Sequence, residues 1–217
     1  MSSHRKNSFV FSKAALATLA LASSAVSSHA AIEVFTSGTT FYKRVVTNTS
    51  VNTTAATTFA DVPGTLTTIF VPAQSTVLVS VDFNAEAACY GGGAGNPNWC
   101  ELMAMIGGVE GSPQASTTSL GDTYAFASTD NGAASVDSWR GHALSRHRCI
   151  RNTSNAPLPV PVSMKWKILQ FGAAVSEFWL DDSAMVVQMS SGCTVQAVPA
   201  AANIGTVAPG SGQGGQK

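Results

Sequence analysis

The run STVLVSVDFNAEAACY, Ser75 to Tyr90, alternates apolar and polar residues along its whole length. Val77, Val79, Val81, Phe83, Ala85, Ala87 and Cys89 share one parity, while Ser80, Asp82, Asn84 and Glu86 share the other. Successive side chains of an extended chain point to opposite faces, so this period of two describes a strand with one dry and one wet side. A helix would scatter the same residues around its circumference. The pattern recurs in VPVSMKWKIL, where Val160, Val162, Met164, Trp166 and Ile168 oppose Ser163, Lys165 and Lys167, and FWLDDSAMVVQM supplies a closing strand. In CELMAMIGGVEGSP the dipeptide Gly107-Gly108 sits between apolar residues and provides the positive φ of a two-residue hairpin turn.

From about Phe35 onward these segments are short and broken by Gly, Pro, Asn and Asp, and no long window shows a helical repeat. About eight to ten such strands must bury their apolar faces against one another, which predicts an all-β, two-sheet antiparallel β-sandwich with jelly-roll topology expected. The Thr- and Asn-rich stretch TNTSVNTTAATTFADVPGTLTTIFVPAQS reads as an opening strand pair around a Pro63-Gly64 turn, with a Thr-rich exposed edge.

Residues 1–30 have the tripartite build of a secretory signal peptide. A basic segment with His4, Arg5, Lys6 and Lys13 precedes the short apolar core AALATLALA, and small residues at Ser28 and Ala30 mark the cleavage site. The apolar core is well short of the roughly 20 residues that cross a bilayer, and no later stretch is longer, so no membrane span is expected after cleavage. The expected division is therefore signal peptide 1–30, sandwich domain 31–195 and a disordered Gly-, Pro- and Ala-rich tail 196–217. Charged residues are only 11% of the 217-residue chain, with twelve Lys or Arg against twelve Asp or Glu. Cleavage removes Arg5, Lys6 and Lys13 and leaves a mildly acidic protein, which argues against a nucleic-acid partner.

All four cysteines, Cys89, Cys100, Cys149 and Cys193, lie beyond the signal peptide, and an even count in an exported chain reads as two disulfides. Three pairings are open. Cys89 with Cys100 is favoured because the intervening YGGGAGNPNW can fold back, leaving Cys149 with Cys193 by elimination. On the loop-entropy model these bonds contribute about 3 and about 4 kcal/mol. A zinc site is the competing use of four cysteines, but there is no C-x-x-C pair and the compartment is oxidising.

The phrases F-x-D-V-P-G (Phe59 to Gly64), T-x-F-V-P-A-Q-S (Thr68 to Ser75), F-N-A-E-A-A-C-Y-G-G (Phe83 to Gly92), W-C-E-L (Trp99 to Leu102) and I-G-G-V-E (Ile106 to Glu110) resemble a group of uncharacterised secreted bacterial proteins. F-A-S-T-D (Phe126 to Asp130), S-W-R-G-H-A-L (Ser138 to Leu144) and F-W-L-D-D (Phe178 to Asp182) extend the resemblance over nearly the whole mature domain. It implies a sandwich similar in architecture to the tumour necrosis factor type or to carbohydrate-binding modules, with the Cys89 and Cys100 pair a recurrent feature. It implies no activity and no catalytic residue. The Cys149 and Cys193 pair is not implied by it and rests on parity alone.

Glycan recognition needs rings presented outward beside polar groups that read hydroxyls. Tyr90 and Trp99, flanking the Gly-rich loop, and Trp139, at a strand start, are the candidates. Trp166 and Phe178 share parity with core positions or sit beside them. A second feature is basic: Arg140, His142, Arg146 and Arg148 fall on one strand parity, with Arg151 close by. If RNTSNAPL were a hairpin, Lys165 and Lys167 would join them in an outer strip suited to an anionic glycan. An ordinary solvated sheet face is the plainer reading of that strip. Asp82, Glu86 and Glu101 would make another surface acidic.

His142 and His147, five apart, take opposite faces of a strand and do not make one metal site. His147 shares the parity of Cys149, so it is expected to point inward beside that disulfide, with one hydrogen bond to satisfy it. Asp181-Asp182 with Asp122, Asp130 or Asp137 offers oxygens to calcium, though adjacent strand residues face opposite ways. No hydrolase or nucleotide motif is present, and Gly91 to Gly95 is a loop spacer rather than a phosphate cradle. The expectation is an exported, non-catalytic module without cofactor or metal, with glycan as the preferred ligand class and a cell-surface partner as another. A self-assembling adhesive or structural subunit is the alternative, and a hydrolase using Asp181, Asp182 or His142 the least favoured. Mass spectrometry of the exported protein is expected to find Ala31 as its first residue; retention of residues 1–30 would remove the export argument.

Overall fold

The computed structural model describes residues 32–91, 98–114, 124–129, 139–171 and 176–198. The expected signal-peptide segment 1–30, most of the Gly-rich loop, Asp122, Asp130, Asp137 and residues 199–217 lie outside them. The described residues form strands and no helix: β1 (Ile32–Thr36), β2 (Thr40–Asn48), β3 (Asn52–Thr54), β4 (Ala60–Asp61), β5 (Thr67–Val71), β6 (Ser75–Tyr90), β7 (Trp99–Ile106), β8 (Val109–Glu110), β9 (Tyr124–Ser128), β10 (Arg140–Asn152), β11 (Leu158–Leu169), β12 (Glu177–Ser191) and β13 (Thr194–Val198).

Two antiparallel sheets pack face to face. The first runs β10-β6-β12-β2, and β3 continues along the side of β12 that β2 occupies. The second runs β4-β11-β7-β8; β5 continues on the β4 side of β11, and β9 on the β8 side of β7. Counted in this way there are lanes β2/β3, β4/β5, β6, β7, β8/β9, β10, β11 and β12. Followed along the chain, they fall in the first, second, first, second, second, first, second and first sheet. Only β7 to β8 is a local hairpin between lanes, and Gly107 (φ 62°) and Gly108 (φ 77°) form its two-residue turn as expected.

The long alternating run is β6, at the interior of the first sheet, and all seven of its apolar-parity residues are buried. Val160, Val162, Met164, Trp166 and Ile168 face it from β11, with Phe178 and Leu180 beside them from β12. Rings interlock across the layer, Trp166 on Phe178 at 5.5 Å and Phe83 on Phe126 at 5.9 Å. The disulfide Cys89–Cys100 crosses the same interior, joining β6 to β7 with both cysteines in the core cluster. Cys149–Cys193 is also formed, so both expected pairings are present.

Three expectations about local arrangement are corrected. The Pro63-Gly64 turn does not join a strand pair: β4 and β5 lie end to end along the same edge of β11. The RNTSNAPL segment is not a hairpin, because β10 and β11 belong to different sheets. It forms an arch between the layers, held by Asn152, whose Nδ2 donates to the carbonyls of Val71, Pro72 and Ala156 at 2.8 to 3.1 Å. Ordered pairing also runs past residue 195, since β13 extends to Val198 and pairs with β1 as a two-stranded ribbon. Such a ribbon is marginal alone. Cys193 immediately before β13 bonds it to β10, and the Phe35 ring lies 5.8 Å from that of His147.

β12 carries one extra residue opposite β6 between Asp181 and Ala184, with Asp182 in the left-handed region at φ 44°. This bulge restores the parity of the strand, so that Phe178 and Leu180 before it and Ser183, Met185 and Val187 after it all face inward. Replacing Cys89 and Cys100 together by Ala is expected to lower the unfolding free energy by about 3 kcal/mol in a urea titration. A loss well under about 1 kcal/mol would show that packing alone closes this end of the sandwich.

Candidate functional site

Because Cys89 and Cys100 point into the interlayer to reach each other, their neighbours Tyr90 and Trp99 are turned outward, on opposite faces of the molecule. Tyr90 lies on the outer face of the first sheet and Trp99 on that of the second, where its ring meets Phe171 edge-on at 5.0 Å. The two rings expected to flank one loop therefore do not act together.

Tyr90 instead joins Trp179 and Trp139. Trp179 is registered with Ala88, and Trp139 stands one residue beyond the last registered pair on the other side, Arg140 with Ala87. The small Ala88 side chain thus lies between two tryptophans on adjacent lanes. Their ring centroids are 6.2 Å apart and edge-to-face, and Tyr90, on β6, meets Trp179 at 5.8 Å, also edge-to-face. All three are half-buried, and Trp179 Nε1 donates to Glu177 Oε2 at 3.0 Å. Trp179 was not singled out by sequence reading. Its parity, opposite to buried Phe178 and Leu180, was the available signal.

The next row of the same face holds Gly141, Glu86 and Asp181 on adjacent strands. Like charges directly opposite each other on adjacent strands repel. Gly141 supplies no side chain, and a Cβ built there meets nothing within 4 Å. Beyond it come Ala143 and Asn84, with Asp182 on the bulge. Asn84, Glu86, Gly141, Ala143 and Asp182, with Ala85 and His142, line an open groove of about 430 Å³, and Asp181 stands beside it. The backbone N–H of Asp182 donates to Asp181 Oδ1 at 2.8 Å, which orients that carboxylate.

The basic candidates do not form an outer strip. Arg146 and Arg148 share a face, as parity required, but it is the inner one: Leu144 and Ile150 on the same parity are buried, and Arg146 is only 6% exposed. Arg146 Nη1 donates to the Ser145 carbonyl at 2.9 Å. Arg148 reaches across to the second sheet, where Nη1 donates to the carbonyls of Ile106 and Gly107 at the hairpin turn. Lys165 pairs with Asp61 at 2.8 Å. Lys167 pairs with the fully buried Glu101 at 2.9 Å and lies 4.7 Å from the centroid of the Phe59 ring. Glu101 is thus neutralised on the second sheet rather than contributing to an acidic surface with Asp82 and Glu86 on the first.

The two histidines do take opposite faces. His147 does not point inward: it shares the parity of Cys149, but register with Ser80 puts both on the outer face, where its Nδ1 lies 3.0 Å from Ser80 Oγ. His142 is on the inner face, 5.2 Å from the Phe126 ring. It is therefore on the other side of the first sheet from Asp181. Among the described residues no group of three or more His, Cys, Asp or Glu is placed to hold a metal ion. Comparison with family models and with curated proteins finds no match for this chain.

Burial lowers the His142 pKa below its usual 6.5, and the Arg140 charge lowers it further. A histidine with a depressed folded pKa is protonated first in the unfolded chain, so the unfolded state binds more protons between the two values. Stability is expected to fall as pH drops through 6.5 and to level off once the folded imidazole protonates as well. Urea midpoints measured from neutral to mildly acid pH are expected to show this slope in the native chain and less of it in His142→Gln. An unchanged slope in the variant would assign the dependence elsewhere.

Proposed function

We propose that this chain is an exported, non-catalytic binding module whose ligand is a glycan, held on the outer face of the first sheet. The carrying observation is the grouping of Tyr90, Trp139 and Trp179 beside the groove lined by Asn84, Glu86 and Asp182. Aromatic rings offer apolar area to the C–H faces of a sugar ring while keeping a wet rim, and carboxylates and an amide accept or donate hydrogen bonds to hydroxyls. The groove lies in the range of small-ligand sites, about 300–1,000 Å³. Two disulfides are compatible with an extracytoplasmic location. No helix of the described residues is long and apolar enough to cross a membrane. The succession of lanes between the sheets supports reading the sandwich as a jelly roll, an architecture shared by lectin domains.

One observation favours self-assembly as a second reading. The two strands on one flank, β2 and β5, leave apolar side chains in water, with Phe41 50% and Phe70 59% exposed. Lys43 and Arg44 on β2 work against edge pairing, because charge on an edge strand discourages it. Size-exclusion profiles that stay constant with concentration fit the glycan reading; a concentration-dependent shift fits assembly.

A glycan array probed with native protein and Trp179→Ala tests the main proposal. Binding is expected for the native chain and is expected to weaken by about tenfold or more in the variant, which removes the ring that contacts both of the others. Trp179→Phe keeps an aromatic surface and is expected to retain most of it. Native-like thermal midpoints in both variants exclude unfolding as the cause. Absence of binding across neutral, basic and acidic glycans would refute the proposal.

A further inference from the structure

The geometry points to a glycan bearing free amines, positively charged along its length, as the occupant of this face. This inference rests on the glycan reading and narrows its ligand class. The register brings Glu86 and Asp181 side by side one row from the Trp139 and Trp179 pair, with Asp182 on the bulge next to them. Glu177 holds its carboxylate against the indole N–H of Trp179. The structure therefore sets carboxylates around one groove and the aromatic rings a row away from it, with only the small residues Gly141 and Ala143 on the β10 side.

The cations of the described residues are directed elsewhere, Arg44 among them, whose Nη1 donates to the Thr68 carbonyl. Arg146 and Arg148 face the interlayer, Lys165 and Lys167 are paired on the second sheet, and Arg140 has the inner parity and acts on His142. Lys43 and Arg151 stand on other parts of the first sheet, at β2 and at the far end of β10. Asp82, the remaining outer carboxylate of β6, accepts a hydrogen bond from Ser145. An ammonium group on a sugar relieves the repulsion between Glu86 and Asp181, and the aromatic quadrupoles favour the same sign of charge. An anionic sugar would add a third negative charge to the row. A divalent metal is not the better occupant, since no metal-ligating group is assembled among the described residues. Charge complementarity and the neighbouring rings thus select one chemistry.

Calorimetric titration of the exported chain with three oligosaccharides tests this: a glucosamine oligomer, its fully N-acetylated counterpart with the same backbone, and a polyuronate oligomer. At low salt and at a pH where the amine is protonated, the free-amine oligomer is expected to bind about tenfold more tightly than the acetylated one. The gap is expected to close at high salt and in a Glu86→Gln, Asp181→Asn double variant. Both substitutions keep side-chain shape and remove a like-charge pair, so the thermal midpoint is expected to hold or rise. Equal affinity for the amine and acetylated oligomers, or preference for the polyuronate, overturns the amine assignment and leaves the glycan reading in place. Failure of all three to bind defeats both.

Discussion

The alternation of β6 and the inward disulfide at its end fix most of what the molecule presents to solvent. Once Val77 through Cys89 point into the interlayer, every intervening side chain must point away from it, and Cys89 bonded to Cys100 locks the phase of β6 against that of β7. A slip of one residue in β6 would turn seven buried apolar groups into water, and a slip in either strand would separate the two sulfurs. The same lock decides that Tyr90 and Trp99, close in sequence to one another's cysteine, look out from opposite sides of the sandwich. Function-bearing geometry here follows from packing geometry.

The second determinant is the bulge in β12. Without the extra residue at Asp182, the strand could not keep both Phe178 and Met185 in the core, since they differ in parity. Its insertion lets one strand serve the core on both sides of the irregularity. It also places two consecutive carboxylates, Asp181 and Asp182, toward the same outer region. A non-glycine residue in the left-handed region carries a cost of about 1 kcal/mol or more, and Asp is among the side chains that bear it best. The bulge sits beside the groove, where a change in side-chain aim has a local consequence.

Much of the fold was legible in the sequence because burial is written in period two. The inward sets of β6 and β11, the Gly107-Gly108 turn, both disulfides and the opposite facing of His142 and His147 follow from parity and turn chemistry. What parity cannot give is which strand lies beside which. Arg146 and Arg148 were correctly put on one face, yet that face is the inner one, because β10 is an edge lane where long side chains reach along the interlayer to the turn carbonyls of β7. Sequence puts Lys167 in a basic outer strip and misses its ion pair, because its partner Glu101 is 66 residues away in sequence and adjacent only through the β7 and β11 register. The aromatic group was half visible: Tyr90 and Trp139 were singled out, but their convergence on Trp179 depends on β10, β6 and β12 lying side by side.

Low charge content makes each remaining charge informative. A buried pair such as Lys167 with Glu101 is weak evidence of stabilisation, since desolvation offsets much of the attraction. Its effect on the surface is clearer, because it removes both signs from the outer face of the second sheet, and Lys165 with Asp61 does the same one row away. Arg146 and Arg148 are likewise withdrawn into the interlayer. The outer face of the first sheet then keeps Glu86, Glu177, Asp181 and Asp182 with aromatic neighbours and without a compensating cation among the side chains of those rows. Among the described residues these four carboxylates share one face with the half-buried rings of Tyr90, Trp139 and Trp179, and that coincidence makes this face, rather than the basic strip suggested by sequence, the site where recognition is expected.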